Sequence, residues 1–68
     1  MKNYVRERRR KEKWTQKDLA QKMDVSRQTI VAIENGKFNP SLTLAFKLSR
    51  AFNCTIEDLF EFENGSEE

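Results

Sequence analysis

The stretch from Ser26 to Asn35 carries side chains that can form paired hydrogen bonds, arranged on one side of a possible helix. With successive residues turned by about 100° in an α-helix, one strip of its surface collects Arg27, Gln28, Val31, Ala32 and Asn35. No acidic residue lies in this strip, and Ile30 and Ile33 fall on the opposite side. The pattern predicts a helix that buries its isoleucines and offers the strip to a partner outside the chain.

This strip matches the chemistry of base edges in the major groove of duplex DNA. An arginine can donate two hydrogen bonds to guanine O6 and N7, and a glutamine can pair with adenine N6 and N7. Val31 and Ala32 are small enough to let a helix come close, and they can touch a thymine methyl group. We therefore expect Arg27, Gln28, Val31 and Ala32 to read bases.

A second helix is predicted just before this one, because Thr15-Gln16-Lys17-Asp18 has the form of a capping box with Asp in place of Glu or Gln. At its start, around Thr15 and Gln16, backbone N–H groups and the positive end of the helix dipole favour a phosphate. Only residues 24 and 25 separate the two helices. Two helices so joined, over residues 15–35, predict a helix-turn-helix with residues 26–35 as the recognition helix.

Three further helices and two strands complete the predicted fold. A first helix is expected from residue 5 to about 12, a fourth over about 42–52, and a short fifth after Thr55. Residues 60–63 alternate with the period of a strand, and residues 2–4 are the nearest partner for them. A chain of 68 residues makes one domain. We expect an all-α domain of five helices with a short terminal β-ribbon over residues 1–63, and an acidic, frayed tail at 64–68.

The fourth predicted helix is apolar over an arc of about 220°, more than a helix on a surface requires. It is either a central helix touched by several others, or a helix partly covered by a second copy of the chain. Aromatic residues near it are the candidates for a homodimer interface. They are Phe38, Phe46, Phe60 and Phe62.

The net charge of +2 conceals an uneven distribution of charge. Residues 1–13 hold seven Lys or Arg against two Glu, and residues 14–53 hold six basic against three acidic residues. From residue 54 onward there are six acidic residues and no basic one. The separation favours one end of the molecule facing a polyanion. Solvated charge that only aids solubility is the alternative.

The composition argues against an enzyme. The chain has no His, which removes the commonest general base and metal ligand, and its single cysteine, Cys54, can form no internal disulfide. No stretch approaches the roughly 18 apolar residues of a membrane span. We expect a cytoplasmic protein with no metal, no cofactor and no small-molecule effector.

Four motifs occur together and in order along the chain: "TQKDLA", "VSRQTI", "IENGK" and "NPSL". In this combination the chain resembles the Cro/cI-type (XRE) helix-turn-helix family over about residues 5–60. It is similar to the small dimeric regulators of that family that resemble the cytolysin repressor. The resemblance implies a compact, lambda-repressor-like fold. It also implies a sequence-specific transcription regulator, with a repressor as the first expectation. Such a regulator would bind a near-palindromic operator in double-stranded DNA as a homodimer.

The resemblance also implies roles for single residues. Gln16 matches a glutamine that contacts phosphate, and Asn35 and Lys37 match contacts to the DNA backbone after the recognition helix. Arg9 and Glu34 match an ion pair that ties the first helix to the third. Arg27 and Gln28 match base readers of the family, and Ala32 matches a further position that faces the groove.

The chain departs from the family pattern at several positions. Glycine is common where this chain has Lys13, Asp24 and Asn53; Asp and Asn tolerate a left-handed backbone, whereas Lys is less suited to it. Arg8 stands where an apolar residue is usual, and its role stays open. A second function also stays open, namely an antitoxin-like or other protein-interaction module for which DNA binding is secondary.

Overall fold

The computed structural model describes residues 1–62, and these form five helices and two short strands. In chain order they are β1 (Lys2–Asn3), α1 (Val5–Lys11), α2 (Gln16–Met23), α3 (Arg27–Glu34), α4 (Leu42–Ala51), α5 (Ile56–Leu59) and β2 (Phe60–Glu61). The predicted five-helix, all-α fold with a terminal ribbon is confirmed. Residue 63 and the predicted tail at 64–68 lie outside the described residues. Among the helices described, none has the length and apolar character to cross a membrane.

Hydroxyl side chains define where four of the helices begin. Thr15 Oγ1 accepts the Asp18 N–H at 3.0 Å while Asp18 accepts the Thr15 N–H at 2.9 Å, which completes the predicted capping box of α2. Ser26 Oγ accepts the Thr29 N–H at the start of α3, and Ser41 Oγ accepts the Leu44 N–H at the start of α4. Thr55 begins α5 with a second capping box. Each cap satisfies backbone N–H groups that the helix leaves unpaired at its start.

A left-handed residue closely follows each of the helices α1 to α4 and turns the chain. Lys13, Asp24 and Asn53 adopt φ values of 63°, 59° and 55°, and Gly36 adopts 75°. At Asp24 this conformation lets the Val25 N–H reach back to the Ala20 carbonyl at 3.0 Å. The turn between α2 and α3 is therefore tight, and the two helices pack directly on each other.

The core fills the space between these helices. Its fully buried side chains come from every helix: Val5, Leu19, Ile30, Ile33, Leu48 and Leu59. Burial of an aliphatic side chain contributes about 1.5–3 kcal/mol. The α2–α3 pair is thus fixed by the same core that holds α4.

The ribbon joins the two ends of the described chain. Lys2 pairs with Glu61 and Asn3 with Phe60 in an antiparallel register. The Asn3 side chain also donates from Nδ2 to the Ile33 carbonyl at 2.8 Å. The ribbon is thereby attached to the last turn of α3.

One side of α4 stays uncovered within the described chain. Leu44, Ala45 and Leu48 are buried, but Leu42 is 69% exposed and Phe46 49% exposed. The wide apolar arc therefore has two parts: one that packs into the core and one that faces outward.

Candidate nucleic-acid interface

The core fixes the direction in which α3 faces. Ile30 and Ile33 have no exposed surface, while Arg27 and Gln28 are exposed and Val31 is half-buried. The helix is thus anchored along one side, and its polar leading end faces outward.

A shallow groove runs along this outer side of α3, with a volume of about 560 Å³. Its lining residues are Gln16, Arg27, Gln28, Val31, Ala32, Asn35 and Lys37; we call it the reading groove. It brings together all but one of the residues for which the sequence predicts a DNA contact. The exception, Thr15, is the exposed N-cap of α2 and lines a neighbouring groove.

A buried cluster of charges lies behind the reading groove. Arg9 Nε lies 2.7 Å from Glu34 Oε2 and Arg9 Nη2 lies 3.3 Å from Glu34 Oε1, so the guanidinium holds both carboxylate oxygens. Arg6 Nε approaches Glu34 Oε1 at 3.4 Å. The Glu34 side chain has no exposed surface. This cluster attaches α1 to the end of α3.

The cluster keeps Glu34 ionised. Burial acts to raise the pKa of this carboxyl, but the hydrogen bonds from Arg9 and Gln16, with the Arg9 charge, outweigh it and lower the pKa below its ordinary value. An acid at this edge of α3 would repel phosphate if its charge were unpaired. Here its charge is neutralised inside the protein.

The same cluster orients two amide side chains of the reading groove. Gln16 donates from Nε2 to Glu34 Oε1 at 3.1 Å, and Asn35 Oδ1 accepts from Arg6 Nη2 at 2.6 Å. Because a guanidinium only donates, the Asn35 oxygen faces Arg6 and its Nδ2 donors remain available. Gln16 retains its Oε1 acceptor and one N–H. Both groups are held in place before any ligand arrives.

Arg6 and Asn3 are residues that the sequence reasoning missed. Arg6 lies three positions before Arg9, on the same side of α1, so helical spacing combined with the implied Arg9–Glu34 pair could have identified it. Asn3 had no comparable signal, because its bond to Ile33 depends on how the ribbon docks.

Arg8, whose role the sequence left open, faces a different part of the molecule. Its charge acts on Cys54 and Asp58, near the start of α5. Burial raises the pKa of the Cys54 thiol, and the Arg8 charge opposes that shift. The thiol is half-buried beside the core and stays protonated near neutral pH.

The aromatic residues predicted for a dimer interface differ in exposure. Phe38 is 48% exposed, close to the 49% of Phe46, and Phe62 is 72% exposed. Phe60 is half-buried and packs against the core. Three of the four side chains are therefore free to contact a second molecule, and Phe60 offers only part of its ring.

Comparison with known proteins identifies the family to which this chain belongs. The sequence pattern that describes the helix-turn-helix family matches residues 5–59, and the chain belongs to that family. A helix-turn-helix transcriptional regulator of Archaeoglobus fulgidus is 53% identical over 64 residues, which cover 94% of this chain and 91% of that protein. The protein is a transcriptional regulator with a helix-turn-helix DNA-binding domain, and the resemblance to the Cro/cI-type (XRE) family is confirmed.

Two further relatives extend the comparison. The restriction-modification controller protein C.AhdI from Aeromonas hydrophila superimposes with a TM-score of 0.74 at 30% identity, over 82% of this chain and 85% of that chain. The competence pilus inhibition repressor of Acinetobacter baylyi is 36% identical over 56 residues, which cover 82% of this chain and 51% of that protein. The chain thus spans about half the length of the second relative.

Proposed function

We propose that residues 1–63 form a single DNA-binding domain that reads a near-palindromic operator as a homodimer and represses transcription from it. In this proposal α3 enters the major groove with its N-terminal end leading. One observation carries it: Arg27 and Gln28 are exposed at that end, while Ile30 and Ile33 hold the opposite side of the helix in the core.

The side chains around the reading groove differ in the part of the DNA that they can contact. Arg27 and Gln28 have the paired donors and acceptors that distinguish guanine and adenine. Val31 and Ala32 leave room for the helix to approach and offer methyl groups to thymine. Donors for phosphates come from Gln16, Asn35 and Lys37 at the margins, and from Thr15 in the neighbouring groove. Phosphate contacts position the helix without reading sequence.

The exposed apolar surface supports a homodimer. A single DNA-binding module buries only about 600–1,000 Å² of protein surface, so two copies on one site gain affinity and specificity. Leu42 and Phe46 lie one helical turn apart on α4, both exposed, and Phe38 follows closely after the backbone-contacting Lys37. A symmetric contact there would set two α3 helices side by side, about 34 Å apart for successive major grooves.

In this proposal, repression requires only that the protein occupy its operator. A dimer bound across a promoter would exclude polymerase by its bulk. The repressor name carried by the Acinetobacter baylyi relative supports this sign of regulation.

Selection of bound duplexes from a random pool, followed by sequencing, tests the proposal. We expect an inverted repeat whose half-sites are centred about one helical turn, or 10 base pairs, apart. A reporter promoter that carries the selected site should fall in activity when the protein is expressed. An unenriched pool would refute DNA reading, and a single asymmetric motif would refute the symmetric dimer.

A further inference from the structure

The tripeptide Glu-Asn-Gly occurs twice in the chain, at residues 34–36 and at residues 63–65. Asparagine is chemically labile, and most so before glycine, which has no side chain to shield its N–H from the neighbouring amide carbon. The second tripeptide lies outside the described residues. The first ends α3, and its Asn35 is exposed and lines the reading groove. A labile residue is therefore part of the surface that faces the DNA in the proposed function.

The reaction open to this pair is deamidation. The Gly36 nitrogen, once it has lost its proton, attacks Cγ of Asn35 and closes a five-membered succinimide ring. The bond from Cγ to Nδ2 breaks, and ammonia leaves with the proton. Water then opens the ring at one of its two carbonyls. The product is aspartate, or isoaspartate in which the main chain runs through Cγ, and the balance is one water consumed and one ammonia released.

The fold keeps the Gly36 nitrogen away from that carbon. Its N–H donates to the Ile33 carbonyl at 3.0 Å, and the same carbonyl accepts from Asn3 Nδ2 at 2.8 Å. The ring can close only when the Gly36 nitrogen eclipses Cβ about the Cα–C bond of Asn35. With ψ at 0°, it eclipses the Asn35 nitrogen instead. The backbone must therefore leave the last turn of α3 before the reaction can begin.

The side chain of Asn35 is held as well. Its Oδ1 accepts from Arg6 Nη2 at 2.6 Å, so the amide does not turn freely toward the main chain. Glycine is needed at position 36 because φ is 75° there, a left-handed conformation that a residue with a side chain adopts at a cost. The turn thus requires a reactive dipeptide, and the contacts around it prevent the reaction.

Deamidation would change the charge beside the reading groove. The buried cluster holds two guanidinium groups, those of Arg6 and Arg9, against the single carboxylate of Glu34, which leaves one positive charge in excess. A carboxylate at position 35 would cancel that excess and would replace the two amide donors with an acceptor. Both changes are unfavourable next to phosphate. Isoaspartate would also lengthen the main chain where α3 ends.

We propose that Asn35 is a modification site at which deamidation, prevented by the folded structure, weakens DNA binding. The proposal rests on the proposed function, because the product matters only if the reading groove binds DNA. The site then responds to the time that the domain spends unfolded. A chain that opens often acquires an acid in its DNA-binding surface, and the loss of ammonia makes the change irreversible.

The protection is tested by measuring deamidation of both tripeptides in the folded chain and in denaturant. Trypsin separates the two sites, because it cleaves after Lys37 and Arg50, and tandem mass spectrometry distinguishes aspartate from isoaspartate. In denaturant the two sites should react at similar rates. In the folded chain residue 35 should react at least about tenfold more slowly than in denaturant, because local opening must come first. Equal rates at residue 35 in both conditions would overturn the proposal.

Matched variants test the contact from Arg6. Arg6→Met should raise the rate at residue 35 several-fold in the folded chain, because it frees the amide side chain. Lys11→Met removes a cation from an exposed position of the same helix and should leave the rate unchanged. Circular dichroism at the incubation temperature checks that both variants are folded. An unchanged rate in folded Arg6→Met would overturn the role given to this contact.

The effect on DNA binding is tested with protein kept in denaturant for increasing times and then refolded. In Asn35→Gln the amide remains but must close a less favourable six-membered ring, so position 35 stays intact while residue 64 reacts in both proteins. Fluorescence anisotropy with the selected duplex should show a loss of affinity of about tenfold at low salt as residue 35 of the wild type converts. Asn35→Gln should keep its starting affinity, and Asn35→Asp should bind weakly without incubation.

Two results would overturn the effect on DNA. Full affinity in converted wild type would show that the acid at position 35 does no harm. An equal loss in Asn35→Gln would assign the effect to another part of the chain. Failure of the proposed function gives a different result, because fresh wild type would then bind every duplex with the same affinity.

Discussion

Arg9 and Glu34, 25 residues apart, form a buried pair in which the guanidinium holds both carboxylate oxygens, with Nε 2.7 Å from Oε2. The pair joins α1 to the C-terminal end of α3. It also holds the amide of Gln16, so it links the scaffold to the margin of the reading groove. The charges that stabilise the fold and two side chains of the reading groove, Gln16 and Asn35, thus belong to one hydrogen-bonded network.

The stability of the protein should depend on keeping both partners of this pair. We expect Glu34→Ala to lower the free energy of unfolding by about 3–5 kcal/mol, because it leaves the Arg9 charge buried without its partner. The double variant Arg9→Met/Glu34→Leu should lose less, since neither charge remains. Denaturant titration with circular dichroism measures both. A double variant as unstable as Glu34→Ala would show that packing, rather than the unpaired charge, causes the loss.

The free energy of unfolding should also decrease in acid, and the lowered pKa of Glu34 is one cause. Its pKa in the folded protein is lower than its ordinary value of 4.5, so the unfolded chain binds more protons in acid. The stabilisation is complete above about pH 4.5 and is lost as pH falls through the lower, folded pKa. The pKa values of Asp18 and Asp58 are also lowered, by the backbone N–H groups of Thr15 and Thr55, and act in the same direction.

The measurement is Tm of wild type and Glu34→Gln from about pH 7 down to about pH 2. The variant should be less stable near neutrality, and its Tm should fall less steeply in acid. Parallel curves for the two proteins would contradict the assignment to Glu34.

Arg27 and Lys37 should affect DNA binding in different ways. Arg27→Ala should reduce discrimination between the selected site and random duplex by about 1–3 kcal/mol, because a bidentate base contact is lost. Lys37→Ala should weaken binding to both duplexes alike and reduce the salt slope by about one. Fluorescence anisotropy titrations at several salt concentrations separate the two effects. Unchanged discrimination in Arg27→Ala would exclude it from base reading.

The exposed side of α4 should determine self-association. Phe46→Lys should convert a dimer at micromolar concentration into a monomer without unfolding it, because the ring is half outside the core. Gln21→Lys is the matched control, since it adds the same charge at an exposed position on α2. Sedimentation velocity measures the species present. Monomeric wild type, or a dimer that survives Phe46→Lys, would contradict this interface.

The helices, their order and the direction in which α3 faces could be predicted from the sequence. Helix starts were readable because Ser26 or Thr15 caps a backbone N–H only three residues away. The outward strip of α3 was readable because Ile30 and Ile33 repeat with the period of the helix. Such features depend on local hydrogen bonds and on periodicity, which a linear sequence displays directly.

The contacts that support the reading groove become visible only in the folded structure. Arg6 reaches Asn35 across 29 residues, and Asn3 reaches the Ile33 carbonyl across 30. A neighbouring groove forms where the end of α1 and the start of α2 meet close to Arg27. These relationships depend on the distance and angle between packed helices. Composition and spacing along the chain do not specify either quantity.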